Sequence, residues 1–193
     1  MYEKFGQFID GSWSPSSNKE TYEVINPATE EVLGHASKAT PEDVDRALKS
    51  AEKGLAVWKK ITPWERSYIL RRIADKLREK KDVLAKWMTL ENGKPLAEGV
   101  GETNGAADIF EWNAEETKRI FGQTIESRFE DTRVHVYYQP VGVVAALSPW
   151  NFPLILAARK ISTALAAGCS VIIKPDTITP GVVMELVDIC REC

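Results

Sequence analysis

Histidine and cysteine are scarce in this 193-residue sequence, with two of the first and three of the second. Little material is left for a metal site. Cys169, Cys190 and Cys193 are odd in number, which argues against a disulfide framework. Cys190-Arg191-Glu192-Cys193 spells C-x-x-C, but a redox pair needs a helix N-terminus to lower a thiol pKa, and this one closes a helical pattern. Cys169, just before an apolar strand, reads as a small buried thiol. Positive charge is not in excess: 25 Lys and Arg face 28 Asp and Glu, for a net charge of −3. No basic face for nucleic acid is therefore expected. No apolar run reaches the roughly 20 residues that cross a bilayer. The start, Met1-Tyr2-Glu3-Lys4-Phe5, lacks a charged region followed by an apolar one, so no secretory signal and a cytoplasmic location are expected. The usual dinucleotide fingerprint is also missing. Gly99-Val100-Gly101-Glu102-Thr103-Asn104-Gly105 has the wrong spacing and falls inside a helical stretch, where it reads as a place of close helix packing.

What is present is ordinary for a soluble globular domain: 44% hydrophobic and 27% charged residues. The first forty residues read as hairpins, with Asp10-Gly11 giving a type I′ turn signal and Asn26-Pro27-Ala28-Thr29 a second turn. Thr40-Pro41 then opens a helix with Val44, Leu48, Ala51, Leu55 and Trp58 on one face. Thr62-Pro63-Trp64-Glu65 is a capping box for a second helix, carrying Ile69, Ile73 and Leu77. Leu84, Trp87 and Leu90 mark a third, stopped near Gly93. A fourth is expected from Pro95 to Ile120, with Gly122 as its C-cap.

The period changes after Gly122. Arg133 to Tyr138 alternates like a half-exposed strand. Val141 to Leu147 is nearly all apolar, like a parallel strand buried on both faces. Pro153 to Ala167 reads as a helix ended by Gly168, Val171 to Ile173 as a second buried strand, and Thr179-Pro180 as the cap of a final helix. Strand, helix, strand, helix is a βαβ unit and predicts an α/β fold built on a doubly wound parallel sheet, here incomplete. Ligands of such sheets gather at the carboxyl ends of the strands, where Ser148 to Asn151 and Lys174 to Thr177 stand. Two prolines stiffen Ser148-Pro149-Trp150-Asn151-Phe152-Pro153. Read from the residues alone, Asn151 is either a helix cap or an amide held to donate to a developing oxyanion.

These segments carry a resemblance. Pro149-Trp150-Asn151-Phe152-Pro153, Ala164-Leu165-Ala166-Ala167-Gly168-Cys169, Ile173-Lys174-Pro175 and Thr179-Pro180 are similar to the aldehyde dehydrogenase superfamily. So are Phe8 to Trp13, Ile25 to Thr29 and Glu91-Asn92-Gly93-Lys94-Pro95-Leu96, in the family's order. The resemblance implies the N-terminal part of an NAD(P)-dependent aldehyde dehydrogenase. In it, 1–122 would form hairpins and helices of the cofactor domain, 123–142 a strand of the oligomerisation element, and 143–193 the first βαβα of the NAD(P)-binding sheet. It implies that Asn151 is the oxyanion-hole amide and that Lys174 bonds the adenosine ribose. Leu147, Ser148, Pro149 and Trp150 would line the cofactor cleft, and Phe152 and Ile155 would face the substrate tunnel.

Two positions refine the expectation. Many NAD-preferring relatives carry Glu three residues after the lysine, whereas this chain has Lys174-Pro175-Asp176-Thr177. A hydroxyl at Thr177 does not repel a 2′-phosphate, so NADP is expected to be tolerated or preferred over NAD, with Asp176 either at the cofactor or only turning the chain. Arg159 follows Ile155 and Phe152 by one and two turns. In the succinate-semialdehyde branch, the resemblance implies an arginine here that grips the substrate's distal carboxylate, which a planar guanidinium binds bidentately; the alternative is a solvated surface arginine beside Lys160. The nucleophilic cysteine and the glutamate base of the family lie in segments beyond those matched. The chain alone is therefore expected to be inactive, with no metal, a small aldehyde as substrate, and a homo-oligomeric parent. The alternative is a catalytically incompetent fragment that serves only in cofactor binding or assembly.

Overall fold

The computed structural model describes residues 2–193. Two antiparallel hairpins come first: β1 (Gln7–Ile9) with β2 (Ser12–Ser14), and β3 (Thr21–Ile25) with β4 (Val32–Ser37). Asp10 and Gly11 have φ of 51° and 78°, the left-handed pair that the type I′ turn requires. Helix α1 (Pro41–Trp58) and helix α2 (Pro63–Glu79) each begin with a complete capping box, Thr40 with Asp43 and Thr62 with Glu65. Backbone N–H donation by Thr40 holds the Asp43 carboxyl down at about 2. Helix α3 (Lys81–Asn92) stops at Gly93, whose φ of 77° is left-handed. Helix α4 (Leu96–Glu116), the hairpin of β5 (Gln123–Glu126) and β6 (Arg133–Val136), strand β7 (Val143–Leu147), helix α5 (Pro153–Ala166), strand β8 (Ser170–Lys174) and helix α6 (Pro180–Glu192) complete the chain.

Helices α2 to α6 enclose the main core. Leu70, Ile73, Leu77, Leu84, Met88, Phe110, Leu154, Leu186 and Ile189 are all but fully removed from water there. Gly99 lets α4 approach α3, because a Cβ on it would stand 3.0 Å from the Ala85 backbone. Gly105 does the same toward Ile155 of α5 at 3.0 Å, whereas Gly101 faces open space. The close-packing reading of this glycine stretch thus holds at two of its three glycines.

Strands β7 and β8 pair in parallel, Val143 opposite Ser170 through Leu147 opposite Lys174, with α5 as the crossover. The sequence led to a β7 buried on both faces. Instead only Ala146 of that strand is buried, and Leu147 is 66% exposed. A two-stranded sheet leaves both outer edges without a neighbour, and its apolar residues stay wet. The stripe on α1 is only partly covered, with Val44 and Leu48 exposed.

Three further details differ from the sequence reading. Helix α4 ends at Glu116, not Ile120, and passes into a 3-10 turn at Thr117–Arg119. There Thr117 donates its hydroxyl to the Ala166 carbonyl at 2.6 Å, and that tie draws the chain off the helix axis. Gly122 is not a left-handed cap. It lies where a Cβ would stand 2.3 Å from the Val136 carbonyl oxygen, so it serves the β5–β6 hairpin. Thr179 does not cap α6 through its side chain; its buried hydroxyl makes no hydrogen bond, and Glu91 takes over the capping.

Candidate active site

The carboxyl ends of β7 and β8 are tied together by the Ser148 N–H, which donates to the Lys174 carbonyl at 3.1 Å. This bond extends the parallel ladder by one step and brings the two predicted ligand segments side by side. Leu147, Pro149, Trp150, Asn151 and Phe152 are exposed on the first, Lys174 and Thr177 on the second. Ser148 is buried, and its hydroxyl donates to the Pro153 carbonyl at 3.4 Å, so it shapes the turn from within. The Asp176 carboxylate accepts the Ile178 N–H at 3.0 Å, the bond that turns the chain toward α6.

The turn into α5 is held from outside its own strand and helix. The cap position is Phe152, with no side-chain cap of its own, so Asn151 is not the helix cap. Glu102 of α4 does that work: its Oε1 accepts the N–H groups of Leu154 at 2.9 Å and Ile155 at 3.1 Å. Its Oε2 pairs with Lys94 Nζ, the two side chains only 2% and 6% exposed. Lys94 Nζ also donates to the Asn151 carbonyl at 3.1 Å and stands 4.2 Å from the centre of the Phe152 ring. Asn92 Nδ2 donates to the Trp150 carbonyl at 3.1 Å. One residue earlier, Glu91 accepts the α6 N–H groups of Gly181 at 2.7 Å and Val182 at 3.2 Å, together with the Tyr2 hydroxyl. Burial raises the Glu91 carboxyl to about 7 against the pull of these donors, and burial also raises Tyr2.

The segment Glu91-Asn92-Gly93-Lys94 with Glu102 is therefore a clamp on both helix starts that follow the parallel strands. A carboxylate at each helix N-terminus satisfies orphan N–H groups and matches the local positive field. Sequence reasoning missed these roles. A signal was available: Glu91 continues the buried row Leu84, Trp87, Met88, and Glu102 stands in the buried row Gly99, Thr103, Ala106, Phe110. A charge inside an apolar row is a buried group with a partner to find.

The substrate-side trio of the sequence reading lies along the start of α5. Phe152 and Arg159 are exposed, while Ile155 is half-buried with its Cδ1 against Gly105. Cys169 is buried and Cys190 has its thiol pushed up to about 12 by burial, far from a thiolate at neutral pH. Among the described residues no group of three or more His, Cys, Asp or Glu could hold a metal ion, and no helix is long and apolar enough to cross a membrane.

An exposed ammonium and hydroxyl at one strand end stand beside an apolar ledge and a turn that carries an exposed amide. The sequence pattern of the aldehyde dehydrogenase family matches residues 13–193, and the chain belongs to that family. It is 46% identical over 184 residues to a glutarate-semialdehyde dehydrogenase of Pseudomonas putida, covering 95% of this chain and 38% of that protein. It is 43% identical over 181 residues to the NADP(+) succinate-semialdehyde dehydrogenase of Escherichia coli, covering 94% and 38%. Among solved structures, an E. coli NADP-dependent enzyme superposes with a TM-score of 0.96 at 41% identity, over all of this chain and 40% of that one. A succinate-semialdehyde dehydrogenase from Burkholderia pseudomallei gives 0.94 at 41% identity, over 95% and 38%. The chain thus spans 38% of the length of the curated relatives it matches.

Proposed function

We propose that this chain is the cofactor-side portion of an NAD(P)-dependent aldehyde dehydrogenase acting on carboxylate-bearing semialdehydes, and that it works within a longer protein. The observation that carries the reading is the exposed Asn151 on a turn fixed by Lys94 and Glu102, beside the paired strand ends. In the fully assembled site the Asn151 amide donates to the oxygen of the aldehyde as a thiolate from elsewhere in the protein adds to its carbon. Such a donor is worth most when it does not have to reorganise during the reaction.

The donor set suits a dinucleotide. Lys174 offers an ammonium and Thr177 a hydroxyl to a ribose, and Leu147, Pro149 and Trp150 offer an apolar ledge. When bound, the nicotinamide accepts the hydride of the substrate. No carboxylate stands at 177 to repel a 2′-phosphate, so NADP is tolerated or preferred. Arg159, exposed on α5 beyond Phe152, holds the distal carboxylate of the substrate. The β5–β6 hairpin is exposed along nearly its whole length, with Phe129, Tyr137 and Tyr138 wet around it. An isolated hairpin is marginal in water, and here it serves a homo-oligomeric contact. Taken alone, the 193 residues are catalytically incompetent.

The deciding assay follows absorbance of the reduced cofactor in the full-length protein that carries this segment, with succinate or glutarate semialdehyde against propanal. Turnover with NADP and a preference for the semialdehydes are expected. Activity with NAD alone, or no discrimination between the aldehydes, overturns the corresponding part. Turnover by the isolated 193-residue chain overturns its incompetence.

A further inference from the structure

We infer that Lys94 is a positioning residue for the reaction, setting the direction of the Asn151 amide through the Asn151 carbonyl. The inference rests on the reading of Asn151 as the oxyanion donor.

The turn Pro149–Phe152 is exposed, and the cap residue Phe152 has φ −135° and ψ 69°, outside the helical region. The strand before the turn is anchored up to Ser148 by the ladder to Lys174, and the helix after it from Leu154 by Glu102. Between those anchors, Asn92 holds the Trp150 carbonyl and Lys94 holds the Asn151 carbonyl. Fixing the carbonyl of a residue fixes the peptide plane that leaves it, and with it one side of the Cα from which the side chain projects. The Asn151 side chain itself stays exposed, free to meet a ligand.

Lys94 is suited to this because its own position is overdetermined. Its ammonium is shared by the Glu102 carboxylate, the Asn151 carbonyl and the face of Phe152, and the side chain is 6% exposed. The same Glu102 that fixes Lys94 also fixes the amides of Leu154 and Ile155. One buried pair therefore holds both sides of Asn151, and a displacement of about 1 Å at such a donor costs on the order of a hundredfold in rate.

The test uses Lys94→Met in the full-length protein. The expected result is a kcat lower by roughly tenfold to a hundredfold, with the KM for the dinucleotide changed by less than about twofold. In an Asn151→Ala background the same substitution is expected to lower kcat by less than about twofold, because the donor it positions is already gone. Hydrogen–deuterium exchange of the segment 151–155 should quicken while that of α2 does not. Losses that multiply in the double variant, or unchanged exchange at 151–155, overturn the inference. If Lys94→Met does not fold, Lys94→Met combined with Glu102→Gln carries the same test, since neither charge is then buried alone. A wild-type protein that oxidises no aldehyde sinks the functional reading alone, and the exchange measurement still decides whether Lys94 holds the turn.

Discussion

Substituting Glu102 by Gln separates two jobs that one side chain performs. Oε1 accepts the Leu154 and Ile155 amides, and Oε2 pairs with Lys94. Glutamine is isosteric and keeps an oxygen for the α5 amides, but it presents an NH2 group to the Lys94 ammonium. The cap survives and the ion pair does not. Both side chains are nearly dry, at 2% and 6% exposure, so solvent does little to soften the loss. Breaking one partner of such a pair costs about 3–5 kcal/mol. Total stabilities lie at roughly 5–15 kcal/mol, so this is a large share. At about 2–4 °C per kcal/mol for a chain of this size, the melting temperature should fall by roughly 6–20 °C. Glu102→Ala should cost more, by about 1–3 kcal/mol for each amide left without an acceptor. Removing both charges, with Lys94→Met beside Glu102→Gln, should recover part of the loss. Urea and thermal unfolding of the four proteins together measure all of this. A Glu102→Gln variant within about 1 kcal/mol of wild type refutes the account of the clamp.

Further outcomes follow from the same geometry. Burial places the Glu91 carboxyl at about 7 against an ordinary 4.5, so folding takes up a proton between these values. The stabilisation is full below pH 4.5 and is lost as pH rises through about 7, amounting to about 3 kcal/mol at ~1.4 kcal/mol per unit. Thermal melts from pH 4.5 to 8 should show the fall, and Glu91→Gln should flatten it; a parallel profile in the variant contradicts the assignment. Gly181→Ala puts a Cβ 2.2 Å from Cζ3 of Trp87 and should cost about 1–3 kcal/mol in denaturant unfolding, with an unchanged midpoint as the contrary result. Arg159→Ala in the full-length protein should raise the KM for succinate semialdehyde by at least about tenfold and that for propanal little; equal changes remove the carboxylate anchor.

Local chemistry was the legible part of this sequence. Asp10-Gly11, the Thr40 cap, the Thr62 capping box, Gly93 and Gly168 act within a few residues, and each element they delimit is present. The βαβ order and its strand ends were legible for the same reason. What was hidden depends on distance along the chain. Glu91 meets the start of α6 ninety residues later, and Glu102 meets the start of α5. Neither pairing follows from periodicity, and Thr179 and Asn151 looked like the natural caps of those helices. The β5 half of the hairpin escaped because Gln123 to Glu126 does not alternate and is exposed throughout. The burial expected of Val141 to Leu147 failed because a strand's apolar run reports the sheet it is built for, and here that sheet has two strands. At the site, the exposed amide, ammonium and hydroxyl were readable as residue types, but the lysine and glutamate that hold the turn were not.

The central claim is that Asn151 donates to the oxygen of a reacting aldehyde. Steady-state kinetics of Asn151→Ala in the full-length protein, with NADP and succinate semialdehyde, test it most directly. The account predicts a kcat lower by about 10²–10³ with the KM for NADP within about twofold of wild type. A variant that turns over at the wild-type rate contradicts it.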